Sequence, residues 1–445
     1  MYGKVRANLP ASGHPSPPAE PGRRRPWPLA VAWLAAGVAA YAVSVLVYHF
    51  LLDTNPELWG HSDEFVYWAA AAEVHHHPAQ LYTALFGEPG RSHLPFTYPP
   101  IAALIFALFS SFSFAVWQGA LVIIDLLLLP AIGYAALRIG GRSRLTAAAL
   151  AFAVAAMALW LEPVYMTMFF GQINLVLLIL GLADLALPDS CRWKGIGVGL
   201  AAGIKLTPLI FIVYLLATRR IRAGLVSLAT FAVTVVVGFI VLPTASHDFW
   251  FSNLEGKTRF TVQNQSIDGI LARLLPGQVA GHNIWLASAL VVGVAGLTVA
   301  ALASRRGYEL TGVVVCAVTG LLISPISWSH HWVWAVVPGL ALTVAGDRRG
   351  WSERRWANWT ARAVSTAVLL FLFVMWPTRQ PVGHLTELLP RGFLRMVPYG
   401  NGLEKTWHGW QLIQGNYYVI TGAVAIAAVG VYLALGSWRA HRAQH

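Results

Sequence analysis

Charge is what this chain has least of. Only 11% of its 445 residues are Asp, Glu, Lys or Arg, against 57% hydrophobic residues and a mean hydropathy of +0.59. That balance excludes an ordinary soluble domain and places the chain among polytopic membrane proteins, with almost no residues left for a separate soluble unit. Cysteine is nearly absent as well: Cys191 and Cys316 lie in or beside apolar segments, at no spacing typical of a disulfide framework or a metal site. There is no repeat of fixed period and no low complexity beyond the N-terminal tail. An Asp-x-Asp loop, which would seat a nucleotide diphosphate through a metal, is missing too, so no metal and no cofactor are expected.

The charge that exists is mostly positive, 31 Lys+Arg against 19 Asp+Glu. In a soluble protein such an excess suggests nucleic acid. Here the bases sit in short segments between apolar runs, which is the positive-inside pattern of membrane topology, so no nucleic-acid partner is expected. Residues 1–27, rich in Pro, Ala, Gly and Ser and carrying Arg23-Arg24-Arg25, read as a disordered cytoplasmic tail. The run from Leu29 to Leu52 is too long for a signal-peptide core and reads as a retained first membrane helix.

Further runs near 113–138, 145–165, 171–188, 221–243, 284–304, 308–324, 329–346, 359–377 and 416–438 are long enough to cross a bilayer at roughly 20 residues each. Within 97–137, one crossing preceded by a short helix on the outer face keeps Arg138, Arg142 and Arg144 inside. The segment 195–217 lies between Arg192/Lys194 and Arg219/Arg220/Arg222, so it must go out and return as two short helices. Its turn falls at Lys205-Leu206-Thr207-Pro208, where Pro208 cannot continue a helix. The expectation is an all-α polytopic membrane protein of about twelve helices. Its membrane domain spans 28–438, with outer loops at 53–98, 244–283 and 378–415 and a short cytoplasmic tail at 439–445.

That topology puts every unusual polar cluster at the outer face. Asp63 and Glu64 follow the first helix; an acid beside the membrane can take a proton from a hydroxyl, although a solvated loop acid is the plain alternative. Lys205 interrupts an otherwise apolar run, and at a helix break it could hold a phosphate with Gln172 and Asn174 as neutral donors; a snorkelling lysine is the competing account. His330 and His331, between Trp328 and Trp332, offer titratable groups at a helix start. His75-His76-His77 suggests a metal, but three consecutive residues cannot point one way, and with Pro78 following a loop turn explains them better. Trp407, Trp410, Tyr417 and Tyr418 read as interfacial aromatics, a subset of which could stack on sugar rings.

In order, Pro95-Phe96-Thr97-Tyr98-Pro99-Pro100, Trp160-Leu161-Glu162-Pro163, Gly171-Gln172-Ile173-Asn174, Lys205-Leu206-Thr207-Pro208, Asn264-Gln265-Ser266 and Ser324 through Trp332 resemble the motif series of glycosyltransferase family 87. These are the actinobacterial polyprenol-phosphate-mannose-dependent α-(1→2)-mannosyltransferases. The similarity runs from about Asp63 to Trp334 and is nearest to those that extend phosphatidylinositol mannosides. It implies a GT-C type glycosyltransferase fold in the plasma membrane, an outward-facing active site, and a catalytic first-loop aspartate at Asp63. The implied partners are a polyprenyl-phosphate mannose donor, a mannosylated lipid acceptor and the bilayer.

On this reading Asp63 or one of His330/His331 removes the proton from the acceptor's 2-hydroxyl, while Lys205, Gln172 and Asn174 hold the leaving phosphate. Glu64, Tyr98, Asn264, Ser266 and Trp328 contact sugar or acceptor. A transporter or flippase of a lipid-linked sugar is the competing class, but it should show two pseudo-symmetric halves and coupled ionisable residues at mid-membrane; Asp125, Glu162 and Asp184 suggest no pairing in the sequence.

Overall fold

The computed structural model describes residues 27–54, 60–88, 93–252, 259–275, 278–347, 355–382 and 385–442. The Arg23–Arg25 tail lies outside them, and Trp27 already opens the first helix, Trp27–Thr54. The molecule is a helical membrane protein because its long apolar runs have only one way to satisfy backbone groups in hydrocarbon, within the helix itself. Among the described residues five helices are long and apolar enough to cross a bilayer: Ala30–Leu51, Phe114–Ile139, Ile221–Val241, Gly281–Arg305 and Tyr417–Gly436. Several runs that read as single spans are shorter or broken. The run 145–165 divides into Arg144–Ala158 and Glu162–Phe170, 171–188 contracts to Asn174–Leu185, and Val333–Ala345 follows a 3₁₀ turn at Ser329–Trp332.

The segment 195–217 is two short helices, Ile196–Ile204 and Leu209–Ala217, separated at Lys205–Pro208. Both pack on Ile221–Val241. A side chain at Gly199 would lie 2.4 Å from the Ser227 carbonyl oxygen, and one at Gly203 would lie 2.2 Å from Thr234 Oγ1, so small residues let the backbones touch. Gly195 and Gly203 therefore follow Ala223 and Thr234 in parallel, whereas Leu216 comes back to Gly224. The pair goes out and returns, with Lys205 at its tip.

The loops hold more structure than expected. The first contains the helix Ser62–His76, so His75 and His76 end a helix rather than form a loop turn. The short helix Pro100–Ala107 precedes Phe114–Ile139. The second loop contains Pro243–Phe251 and Ile267–Leu274. After Arg355–Phe373 the chain forms an antiparallel hairpin, Met375–Val382 with Leu385–Gly392, in register from Met375↔Gly392 to Val382↔Leu385. Prolines at 377, 381 and 390 lack ladder donors and keep it from recruiting further strands. The last helix runs Tyr417–Arg442, so residues 439–442, read as tail, continue it.

Basic groups gather at the end of the bundle away from Lys205. Asp189 pairs with Lys194 at 2.8 Å and Arg220 at 3.3 Å, and Arg222 donates to the Cys191 carbonyl at 2.8 Å. Glu309 accepts both terminal nitrogens of Arg220 at 2.6 Å, together with the Tyr214 and Ser304 hydroxyls. Asp347 accepts the Leu310 and Thr311 amides at 3.1 Å, capping the helix Glu309–Ile323, and Arg142 donates to the Ala345 and Gly346 carbonyls. The bundle is latched at this end.

Candidate active site

The opposite end carries a continuous polar chain. The helix Ser62–His76 starts from His61, held left-handed at φ 47°, while the amides of Gly60 and His61 both donate to the Phe169 carbonyl at 3.0 and 2.8 Å. This anchor fixes Asp63 and Glu64 in the first turn with different surroundings. Asp63 is half-buried; Ser62 donates to Oδ1 at 3.1 Å, and the Gln172 amide donates to Oδ2. Glu64 is 1% exposed and wedged under Gly171, where a Cβ would come within 2.4 Å of the Glu64 Cβ. Gly171, at φ +64°, closes the helix Glu162–Phe170 in a conformation that glycine adopts without strain, and this brings Gln172 over Asp63.

Lys205 reaches the same cluster from the tip of the helix pair. Its Nζ donates to Asn174 Oδ1 at 2.8 Å, Tyr98 Oη at 3.0 Å and Gln172 Oε1 at 3.3 Å, and it stands 5.0 Å from the Tyr98 ring centre. Gln172 thus links the acid to the cation, with its amide on Asp63 and its carbonyl facing Lys205. Tyr98 also donates to Gln172 Oε1 at 2.7 Å and shares a hydrogen bond with Tyr67 at 2.8 Å. Burial raises the Asp63 carboxyl above its ordinary range, against the Gln172 and Ser62 hydrogen bonds and the Lys205 charge. Burial pushes the Lys205 amine down to about 7, with Asp63 opposing the shift.

His330 and His331 sit in the turn Ser329–Trp332, their rings 4.8 Å apart. The turn is held by its own backbone: the His330 carbonyl accepts the Thr167 hydroxyl at 3.3 Å and the Asn174 amide at 3.4 Å. His330 Nε2 and His331 Nδ1 are buried and have no hydrogen-bond partner. Burial, and then the charge on Lys205, holds both imidazoles well below their usual range, so they are neutral near pH 7. Among the described residues no hydrogen bond joins Asp63 to either ring; the chain through Gln172, Lys205 and Asn174 ends on the His330 backbone carbonyl.

Asn264 and Ser266 are fully buried and engaged with the chain itself. Asn264 Oδ1 accepts the Ser327 amide at 2.9 Å and the Ser266 hydroxyl at 3.0 Å, its Nδ2 donates to the Arg259 and Pro325 carbonyls, and Ser266 caps the helix Ile267–Leu274 through the Gly269 amide. Asn264 and half-buried Trp328 form an isolated antiparallel bridge. This motif braces the histidine turn from behind and presents no free donor to a sugar.

Three features were not visible in the sequence. Tyr67 completes the Tyr98 contact. Glu162 accepts the Ser329 hydroxyl at 3.0 Å and the Tyr418 hydroxyl, which comes from a helix 256 positions later. Asp184, also without a partner in the sequence, accepts the Gly195 amide through both oxygens, at 2.8 and 2.9 Å. A motif containing Glu162 was the only hint of the second, and the third followed no pattern.

A profile of glycosyltransferase family 87 matches residues 96–325. A polyprenol-phosphate-mannose-dependent alpha-(1-2)-phosphatidylinositol mannoside mannosyltransferase of Mycobacterium tuberculosis is 32% identical over 92% of each chain, and one of the same name from Mycolicibacterium smegmatis is 30% identical over 78% of each. A polyprenol-phosphate-mannose-dependent alpha-(1-2)-phosphatidylinositol pentamannoside mannosyltransferase of Mycobacterium tuberculosis is 33% identical over 67% of this chain and 69% of its own. No solved structure matches.

Proposed function

The chain belongs to glycosyltransferase family 87, and from that premise we propose that it transfers mannose from polyprenyl-phosphate mannose to the 2-hydroxyl of a mannose on a phosphatidylinositol mannoside or lipomannan-type acceptor. Transfer proceeds with inversion, at the outer face of the plasma membrane. The observation that carries this reading is the pairing of a half-buried carboxylate with a lysine through one glutamine, at the end of the bundle away from the basic latch. Basic residues mark the cytoplasmic end, which supports an outward-facing site.

Asp63 accepts the proton of the acceptor 2-hydroxyl as that oxygen attacks the anomeric carbon opposite the phosphate. The new C–O bond forms while the sugar–phosphate bond breaks, and polyprenyl phosphate leaves with the electron pair. Lys205 balances the charge growing on that phosphate, with Asn174, Gln172 and Tyr98 fixing its position. The two imidazoles, held neutral, serve as hydroxyl-binding groups rather than as the base, and Trp328 packs on the sugar. Glu64, under Gly171, sets the first-loop helix in place, while Asn264 and Ser266 brace the histidine turn. We take the architecture as GT-C type, with the short and broken helices completing about twelve crossings and residues 28–438 forming one catalytic membrane domain between short tails.

The test is transfer of labelled mannose by purified protein from polyprenyl-phosphate mannose to phosphatidylinositol mannosides, with the new linkage checked by an α-(1→2)-specific mannosidase. Product from wild type and transfer slowed at least a hundredfold in Asp63→Asn at matched folding is the expected result. Donor that binds or crosses liposomes without any transfer would replace this reading with the flippase.

A further inference from the structure

We propose that Arg395 is a second anion seat in this site and holds a lipid phosphate; this rests on the lipid-substrate reading above. Arg395 belongs to the 3₁₀ turn Phe393–Met396, directly after the hairpin. Three contacts force that turn inward. Met375 donates its amide to the Trp160 carbonyl at 2.9 Å, Gln414 donates to the Phe393 carbonyl at 3.0 Å, and Leu394 is fully buried. Gly392 presses on the helix Glu162–Phe170 so closely that a Cβ would lie 2.3 Å from Glu162 Cγ. The guanidinium is delivered into the interior, where Nε and Nη2 are buried with no hydrogen-bond partner.

Those two nitrogens form the side-on fork with which arginine grips a planar or tetrahedral anion. The molecule uses the same fork elsewhere: Arg259 donates from Nε to Asp268 Oδ2 at 2.6 Å and from Nη2 to Oδ1. Among the described residues no such carboxylate seats Arg395. Glu162 lies within its electrostatic reach but accepts from Ser329 and Tyr418 and not from Arg395 Nε or Nη2. A charged fork kept dry and unpaired fits an anion that arrives from outside. His330 feels the charge of both Lys205 and Arg395, two cations carried on different parts of the fold. Tyr165, also within reach of Arg395, lines a small apolar crevice with Tyr48, Leu51, Trp160 and Met375 beside the first membrane helix.

The phosphate could be the donor's, where it would share the developing negative charge with Lys205, or the acceptor's. Purified Arg395→Gln and Arg395→Lys are compared with wild type for binding of polyprenyl phosphate and phosphatidylinositol by native mass spectrometry, and for transfer to a phosphatidylinositol mannoside and to octyl α-mannoside, which has no phosphate. We expect at least one lipid to bind Arg395→Gln about tenfold more weakly, with Arg395→Lys in between and thermal midpoints unchanged. Slower transfer to both acceptors assigns the seat to the donor, and slower transfer to the phospholipid alone assigns it to the acceptor. Unchanged binding of both lipids by Arg395→Gln overturns the proposal. Arg395-dependent binding in a wild-type protein that makes no product would sink the transferase reading and leave the seat standing.

Discussion

Asp63 and Lys205 titrate toward each other, the carboxyl raised by burial and the amine pushed down to about 7. Catalysis by Asp63 needs its ionised form, so kcat/KM should fall as pH drops through a value above the ordinary carboxylate range. Lys205 is cationic below about 7 in the empty site, so kcat/KM for the donor should also fall as pH rises past neutrality. A bound phosphate restores the lysine charge, so the alkaline limb should be weak in kcat. Lys205→Arg should abolish that limb, since a guanidinium stays charged, while lowering kcat because its fork does not fit a seat shaped for a point charge. A pH profile of both parameters decides, and an alkaline limb that survives in Lys205→Arg would reassign it to another group. Asp63→Asn should cost on the order of 10²–10⁴ in kcat. Glu64→Gln should act mainly on stability, because its carboxyl is tucked under Gly171 rather than facing the open side.

The elements that position these residues make separate predictions. Asn264→Ala strands the Ser327 amide and leaves the Ser266 hydroxyl only the Pro325 carbonyl at 3.3 Å, and should destabilise the protein by about 1–3 kcal/mol. If it braces the histidine turn, kcat falls with little change in acceptor KM; a large KM effect at unchanged thermal midpoint would restore the sugar-contact role. Gly203→Val should separate Ile196–Ile204 from Ile221–Val241, because the added Cβ meets Thr234 at 2.2 Å, and should lower both the thermal midpoint and donor binding as Lys205 is displaced. The break at Lys205–Pro208 was legible from sequence because a proline and two basic flanks left one consistent path. The number of crossings was not legible: helices of nine residues, such as Glu162–Phe170 and Leu209–Ala217, are about 14 Å long and fall below what a hydropathy window resolves. The Glu162–Tyr418 contact was hidden for another reason, since neither residue's neighbours encode a partner 256 positions away. Asp63, Lys205, Gln172 and Asn174 were legible because each stands out against an apolar background, whereas Asn264 stood out equally and proved to face inward.

For the whole molecule, the separation of the basic latch from the polar chain predicts its orientation. In intact cells, a membrane-impermeant maleimide should label His408→Cys, made in a Cys191→Ser background, because His408 is exposed in the loop proposed to face outward. Native Cys191, next to the Arg222 contact at the basic end, should react only after permeabilisation. The reverse pattern would turn the molecule over and remove the outer-face assignment. The latch itself has one more consequence. Glu309 ties Arg220, Tyr214 and Ser304 together, and Asp347 staples two successive amides nearby. On the proposed reading, with the basic end tied by these contacts, spent carrier lipid leaves into the leaflet that delivered it, and its return for recharging is a task outside this chain.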